Sequence, residues 1–143
     1  MSDDKYEDLG PALARIGQAL AERFDGDPNG LFFYVEIEEG MLDTSVFKDE
    51  GPSVRYLDLA DRELDTIVFD AWYAEDADKR WASMEYEIKN NKFTAAFKFP
   101  GEIDAEEDSM DRRDRILRAR YGDKPVVYPP WSDDDGWELR LKQ

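Results

Sequence analysis

Carboxylates are the reactive side chains that this chain offers in number. It has 35 Asp and Glu among 143 residues, and no histidine or cysteine. Two carboxylates can perform acid–base catalysis when their pKa values are driven apart, but no pair stands out here by its spacing. A serine triad lacks its histidine base, and no glycine-rich loop is present to cradle phosphates. We therefore expect a protein that is not an enzyme, with a carboxylate-pair hydrolase as the remaining catalytic alternative.

A run of three aspartates and a glycine near the C-terminus, Asp133 to Gly136, invites comparison with an EF-hand calcium loop. With Gly136 at the sixth position of that loop, Trp131 falls at the first and Lys142 at the twelfth. Both positions need oxygen ligands, so the match fails. We expect an acidic turn there, and we expect the protein to hold neither a metal nor a cofactor.

The net charge of −16 restricts the partners that the chain can bind. Such a field repels nucleic acid and anionic membranes and attracts basic molecules. No apolar run approaches the roughly 20 residues that span a bilayer, and the acidic N-terminus lacks the apolar region of a signal peptide. Absence of cysteine fits the cytosol. We expect a cytoplasmic protein with a basic partner, and we leave its oligomeric state open.

Alternating patterns of apolar residues predict a single α+β domain over residues 1–143. Helical periodicity is found over 9–24, 60–77 and 105–121, and strand-like alternation lies between these segments. The order is α-βββ-α-ββ-α plus an extended tail, which predicts an antiparallel sheet of five or six strands covered by three helices. We expect residues 1–8 to be flexible and residues 123–143 to form a C-terminal extension, in which Trp137, Leu139 and Leu141 alternate like a last strand.

Two hairpins can be predicted with their registers. A turn at Glu39-Gly40 pairs Ile37 with Leu42, Val35 with Thr44 and Phe33 with Val46, so that mostly apolar residues meet on one face. A turn at Asn90-Asn91 pairs Ile88 with Phe93, Tyr86 with Ala95, Met84 with Phe97 and Ala82 with Phe99. Asparagine tolerates the positive φ that such a turn requires.

Each predicted helix has its own pattern. Pro11 fits the first turn of the first helix. The second buries a stripe of Leu64, Ile67, Val68, Ala71 and Trp72, with Asp58 or Asp61 as its cap. The third has a thin stripe of Met110, Leu117 and Tyr121 beside Ile116, pairs Asp111 with Arg115, and ends at Gly122. We expect this third helix to lie over an edge of the sheet, largely solvated.

The acidic residues are unevenly distributed along the chain. Residues 58–78 carry eight acids against one arginine, a net of 1 − 8 = −7, and residues 22–43 carry seven against one, a net of 1 − 7 = −6. On a helical wheel, Phe69 and Tyr73 fall away from the buried stripe of the second helix, and acids flank them. Aromatic anchors ringed by acids are typical of interfaces with basic partners, unless another element covers the rings. We predict that the partner contacts Asp65, Phe69, Asp70, Tyr73 and Asp76, together with Glu36 and Glu38 of the first hairpin.

A second set of aromatic residues lies on the other face of the predicted sheet from Phe33 and Val35. It consists of Phe32, Tyr34, Phe47 and Tyr56. Either helices cover both faces, or one face exposes aromatic rings for binding.

The order of these elements, with certain local segments, resembles the YezG-like family of bacterial immunity proteins. The resemblance lies in the hairpin Phe33 to Phe47, the segment Trp81 to Phe99 and the run from Asp111-Arg112-Arg113 to Tyr121, and it spans about residues 9–128. It implies a small acidic cytosolic protein that neutralises a cognate toxin, often a nuclease. The family has no shared active-site residues to carry over.

Charge and resemblance thus lead to the same expectation. We predict an immunity protein that binds and neutralises a basic cognate toxin, with a nuclease as the expected activity, by electrostatically steered occlusion. The alternative is an acidic DNA mimic or adaptor that occupies a host DNA-binding protein. A toxin gene in the neighbouring reading frame would separate the two, whereas a hydrolase would need a deep pocket with two acids of raised pKa.

Overall fold

The computed structural model describes residues 2–128, with side chains from residue 10 onward. Three helices are present in this range: α1 (Ser2–Arg23), α2 (Arg62–Tyr73) and α3 (Ser109–Tyr121). Six strands accompany them: β1 (Leu31–Glu38), β2 (Met41–Asp49), β3 (Val54–Leu57), β4 (Ser83–Lys89), β5 (Lys92–Lys98) and β6 (Val126–Val127). Short 3-10 turns at Ala77–Lys79 and Pro100–Glu102 precede β4 and follow β5. The α+β class and the order α-βββ-α-ββ-α are confirmed.

The six strands form one sheet in the order β5-β4-β1-β2-β3-β6. Neighbouring strands are antiparallel except for β6, which runs parallel to β3. The sheet is therefore mixed and not wholly antiparallel as predicted. The parallel pair arises because residues 122–125 carry the chain from the end of α3 back to the outer side of β3, where the Val54 amide donates to the Pro125 carbonyl.

Both hairpins have the predicted registers. In the first, Ile37 pairs with Leu42, Val35 with Thr44 and Phe33 with Val46. In the second, Ile88 pairs with Phe93, Tyr86 with Ala95 and Met84 with Phe97. The turn residues Asn90 and Asn91 both have positive φ, at 55° and 61°, as a two-residue hairpin turn requires.

Helices cover both faces of the sheet. The first face carries Phe33, Val35 and Met84, which pack beneath α1 and α2 in the larger core. The opposite face carries Phe32 and Phe47, which pack beneath Ile116 and Leu117 of α3 in a smaller core. Of the two possibilities for the aromatic residues of this second face, coverage by a helix is therefore the correct one, because helices lie on both sides of the sheet.

The predicted position of α3 over a sheet edge is wrong, because α3 lies flat on the second face. The pattern of apolar residues underestimated the contact between α3 and the sheet, because arginine side chains provide much of that contact. The Arg113 guanidinium carbon lies 5.5 Å from the Phe47 ring centroid, and that of Arg120 lies 4.1 Å from the Phe32 centroid. A guanidinium group is attracted to the face of an aromatic ring, and the aliphatic part of the arginine side chain covers apolar surface. Met110, in contrast, is exposed.

Some helix boundaries also differ from the prediction. α1 begins at Ser2 rather than at Leu9, so Pro11 lies inside the helix and not in its first turn. α3 begins at Ser109 behind an Asp108 cap, and Arg115 pairs with Glu107 instead of Asp111. The Gly122 C-cap is as predicted. The aspartate run 133–135 and the alternating residues Trp137, Leu139 and Leu141 lie outside the described residues.

Candidate functional site

The second helix is positioned by an apolar stripe and a cap that both follow from its sequence. All five predicted stripe residues are buried. Asp61 is the cap, and its carboxylate accepts a hydrogen bond of 2.9 Å from the Leu64 amide. Trp72 anchors the other end, because its indole nitrogen donates to the Trp81 carbonyl at 2.7 Å. These contacts fix which side of α2 faces solvent.

Phe69 and Tyr73 form a stacked aromatic pair on the outward side of α2. Phe69 is partly buried against the larger core, whereas Tyr73 is 44% exposed. The two rings stack with centroids 5.8 Å apart, and Trp72 meets Tyr73 edge to face at 5.0 Å. Because α3 lies on the opposite face of the sheet, it does not cover Tyr73. An exposed ring that two neighbouring rings hold in place loses little conformational entropy when a partner binds it.

The end of α2 places acidic side chains beside the helix C-terminus, with Arg80 as a nearby cation. Its last turn has no basic residue, although a helix C-terminus carries a partial negative charge that cations would normally offset. Asp70 and Asp76 are exposed there. The sequence reasoning missed Arg80, which follows in the chain and donates to the carbonyls of Tyr73 and Glu75 at 3.3 and 3.2 Å. Its guanidinium also covers the Trp72 and Tyr73 rings, at 4.9 and 5.0 Å. No helical or strand pattern predicts that contact, because a turn separates the two segments.

Asp65 is an acid of this surface whose charged form is disfavoured by its surroundings. One of its carboxylate oxygens is buried without a hydrogen-bond partner among the described residues. Burial, and then the nearby charge of Asp61, raise the pKa of Asp65 above its ordinary value. The charged form of this carboxylate is therefore unfavourable in the free protein, and a cationic side chain of a partner at its other oxygen would stabilise it.

The N-terminal half of α2 is less negative than its sequence suggests. Arg23 at the end of α1 donates to Asp61 at 2.9 and 3.0 Å and to Glu63 at 2.9 Å. One guanidinium thus partly offsets two of the eight acids in residues 58–78. At the other end of the helix, Lys79 lies 4.0 Å from Asp76 and Arg80 lies over the Tyr73 ring, so the acids there are partly offset as well.

Glu36 does not belong to this surface, which corrects the prediction. It is 9% exposed and lies under α3, where it accepts a hydrogen bond of 2.7 Å from Arg112. The Tyr34 hydroxyl donates to its other oxygen. Arg112 also donates to the carbonyls of Asp104 and Glu107, at 2.8 and 2.9 Å. Glu36 is a structural anchor for α3 and is not accessible to a partner.

Glu38 is exposed, but its side chain does not join the acids of α2. It alternates in register with Tyr34 and Glu36 and therefore points to the face that α3 covers, opposite to α2. The structure places Asp65, Phe69, Asp70 and Tyr73 on α2 and Asp76 in the turn that follows it. It separates Glu36 and Glu38 from them.

The net charge of residues 22–43 does not describe one patch either. Glu22, Asp25 and Asp27 precede β1, whereas Glu38 ends β1 and Glu39 begins the turn after it. The eight residues of β1 at about 3.3 Å each put more than about 20 Å between these two groups. Folding thus divides an acidic segment between two ends of the sheet.

Two grooves open on the surface of the described region. One of about 460 Å³ lies between α1 and the β4–β5 hairpin and is lined mainly by apolar atoms of residues such as Ala14, Tyr86 and Phe93. The other, of about 410 Å³, lies between α3 and β6. Asp65, the acid whose pKa is raised, lines neither groove. In the described part of the chain, no group of three or more acids is arranged to hold a metal ion.

Comparison with known proteins leaves the resemblance to the YezG-like family as a prediction. No family model matches the chain, and a search of curated proteins finds no match. Among the described helices, none has both the length and the apolarity needed to cross a bilayer.

Proposed function

We propose that this protein is an inhibitor that binds a basic protein through the outward surface of α2, and that it serves as the immunity protein of a basic toxin. The observation that carries this proposal is Tyr73, an exposed ring held by Phe69, Trp72 and Arg80. The same surface also presents Asp65, Asp70 and Asp76. Buried aromatic anchors supply much of the binding energy at protein interfaces, and surrounding charges steer and orient the partner.

A nuclease is the toxin class that such a surface fits best. Nucleases need lysine and arginine side chains to hold phosphates. Carboxylates on one helix can occupy those cationic positions and exclude the nucleic acid. Opposite charges speed association to about 10⁸–10⁹ M⁻¹s⁻¹ at low salt. Rapid capture limits the damage that a toxin causes before it is neutralised.

Charge-reversal variants provide the sharpest test of the surface. The partner to be used is the protein encoded by the neighbouring reading frame, with toxicity in co-expression as the functional readout. Replacing Asp65, Asp70 and Asp76 by lysine should abolish protection and weaken binding measured by calorimetry at low salt. The matched control replaces the exposed residues Glu38, Asp111 and Asp114 and changes the net charge by the same amount.

Two results would contradict the proposal. If both triple variants lose affinity equally, only total charge matters and the α2 surface is not the interface. If the neighbouring frame encodes no toxin and the protein instead displaces DNA from a host DNA-binding protein, the DNA-mimic alternative is correct.

The aromatic anchor is tested separately. We expect Tyr73→Ala to lose more than about 1 kcal/mol of binding free energy while its circular dichroism spectrum and unfolding midpoint stay close to wild type, because the ring is half exposed. Phe69→Ala should lower stability as well, since Phe69 packs against the core. Unchanged affinity of Tyr73→Ala would remove this residue from the interface.

A further inference from the structure

The last strand of the sheet on the side away from β6 has features of a docking edge. β5 pairs with β4 along seven residues, and the sheet formed by residues 2–128 ends at β5. A terminal strand presents backbone amides and carbonyls on its outer side, which can pair with an added strand. Seven residues extend over about 24 Å, enough for a regular ladder with a partner segment.

Side chains along β5 differ between its two faces. Lys92, Thr94, Ala96 and Lys98 share one face, and all four are exposed. Phe93 lies on the other face, where it is 37% exposed and stacks on Tyr86 with ring centroids 5.4 Å apart. It also lines the groove of about 460 Å³ beside α1. A strand added to β5 would therefore place alternate side chains beside two lysines and beside an apolar groove.

The lysines of this edge are unbalanced in a strongly acidic protein. Across β4, Lys92 faces Lys89 and Lys98 faces Ser83, so neither has an acid directly opposite. Glu87 and Glu85 are diagonal to the two lysines on the same face, and Glu87 forms its ion pair with Arg120. In the described region, Lys79 and Lys124 are the lysines that form ion pairs with acids. Positive charge thus lies at both ends of one strand face.

The same charges argue against a second copy of this chain as the occupant. A symmetric antiparallel pair of β5 strands centred on Ala95 would place Lys92 opposite Lys98 of the other copy, twice. Like charges directly opposite each other in a sheet destabilise the pair. An acidic strand would instead form two favourable cross-strand pairs.

We propose that the β5 edge binds an extended segment of a partner protein by strand addition, with acidic residues of that segment opposite Lys92 and Lys98 and apolar residues toward the groove beside α1. This surface is distinct from the α2 surface, and the inference does not depend on the proposed function. Backbone hydrogen bonds supply affinity, and the spacing of the two lysines selects the sequence.

A short designed peptide tests the proposal directly. The probe is the capped peptide EVTITVE, whose glutamates fall opposite the two lysines when its central residue faces Ala95. We expect it to shift the backbone amide resonances of β5 in ¹⁵N-labelled full-length protein and to slow their hydrogen exchange. The matched peptide KVTITVK should bind at least about tenfold more weakly, because two attractive pairs become repulsive.

Protein variants and a modified peptide separate charge from backbone pairing. Joint replacement of Lys92 and Lys98 by glutamate should reverse the preference between the two peptides, whereas Lys79→Glu, on another surface, should leave it unchanged. N-methylation of the central residue of EVTITVE should abolish binding, because it removes a donor to the ladder.

Two outcomes would overturn the proposal. If neither peptide perturbs β5 at millimolar concentration, the lysines only protect the edge from pairing, as edge lysines do in many sheets. If EVTITVE binds but the N-methylated peptide binds equally well, the contact is electrostatic and strand addition is wrong.

Discussion

Asp65 shows at the residue scale how a binding surface can conflict with stability. Its carboxylate has one buried oxygen without a partner in the described region, and its pKa is raised. An acid with a raised folded-state pKa destabilises the fold at pH values where the group is ionised. Such a cost in folding stability is expected of a charged group that pairs with a binding partner but has no counter-ion in the free protein.

We predict that Asp65→Asn stabilises the free protein by about 0.5 kcal/mol at pH 7. Because the folded pKa lies above the unfolded one, the stability of the wild type falls as pH rises between these two values. The advantage of the variant should therefore be absent near pH 3 and complete at pH 7. Thermal unfolding across this range measures it, with the exposed Asp123→Asn as control. A constant difference at all pH values would contradict the argument.

Glu36 and Arg112 form the least exposed ion pair of the described region. Their side chains are 12% and 9% exposed, and the pair joins β1 to α3. The hydrogen bond to Glu36 is the main cause that raises the pKa of Arg112. Removing one member leaves the other charged and buried, which costs far more than removing both.

We predict that Glu36→Leu lowers the free energy of unfolding by about 3 kcal/mol, and that the double variant with Arg112→Leu recovers much of this loss. Urea denaturation of the single and double variants measures the coupling between the two sites. If the two losses simply add, the pair does not act as a unit.

At the scale of elements, α1 is fitted to the sheet by one glycine. A Cβ added at Gly17 would lie 2.5 Å from the Tyr86 hydroxyl oxygen. That hydroxyl donates a hydrogen bond of 2.6 Å to the Leu13 carbonyl of the same helix. The helix therefore approaches β4 closely at a point where no side chain fits.

We predict that Gly17→Ala destabilises the protein by about 1–3 kcal/mol through overpacking. Gly101 provides the control, since a Cβ there meets no atom within 4 Å beyond its chain neighbours. Gly101→Ala should change stability by less than about 0.5 kcal/mol. Chemical denaturation should thus show a clear loss for Gly17→Ala alone, and equal changes in the two variants would contradict the role of Gly17.

The placement of α3 is the clearest difference between sequence reasoning and structure at this scale. Its buried face combines Ile116 and Leu117 with Arg112. A search for apolar periodicity does not count the arginine as a buried position. The aromatic residues beneath it, including Phe32 and Phe47, gain both burial and cation–π contact. A helix rich in arginine can cover a sheet when the sheet presents aromatic rings.

For the whole molecule, a net charge of −16 acts against compactness. Mutual repulsion of surface acids is stronger in the folded chain than in the expanded one, and salt screens it. The same salt also screens attraction to a basic partner. Stability and binding should therefore respond to ionic strength in opposite directions.

We predict that raising NaCl from about 20 to about 500 mM increases the unfolding temperature and weakens association with a basic partner. Differential scanning calorimetry and binding measurements in the same buffers check both effects. A fall in unfolding temperature would show that attractive ion pairs, such as Arg23 with Asp61, outweigh the general repulsion.

Much of the secondary structure could be predicted because its signals lie close together in the chain. The two-residue turns at Glu39-Gly40 and Asn90-Asn91 determine the strand registers on either side, and the α2 stripe with its Asp61 cap is complete within twelve residues. The side of α2 that carries Tyr73 follows from the same periodicity. These features need only local geometry and the alternation of side chains.

The sequence by itself determined the hairpins, the exposed face of α2 and the acidic character of the protein. Only the tertiary structure decided that Glu36 is buried, that β1 divides the acids of residues 22–43, and that α3 covers the second face. Glu36 meets Arg112 across 76 positions of the chain. Burial depends on which distant segment lies above a residue, and neither periodicity nor a sum of charges along the chain contains that information.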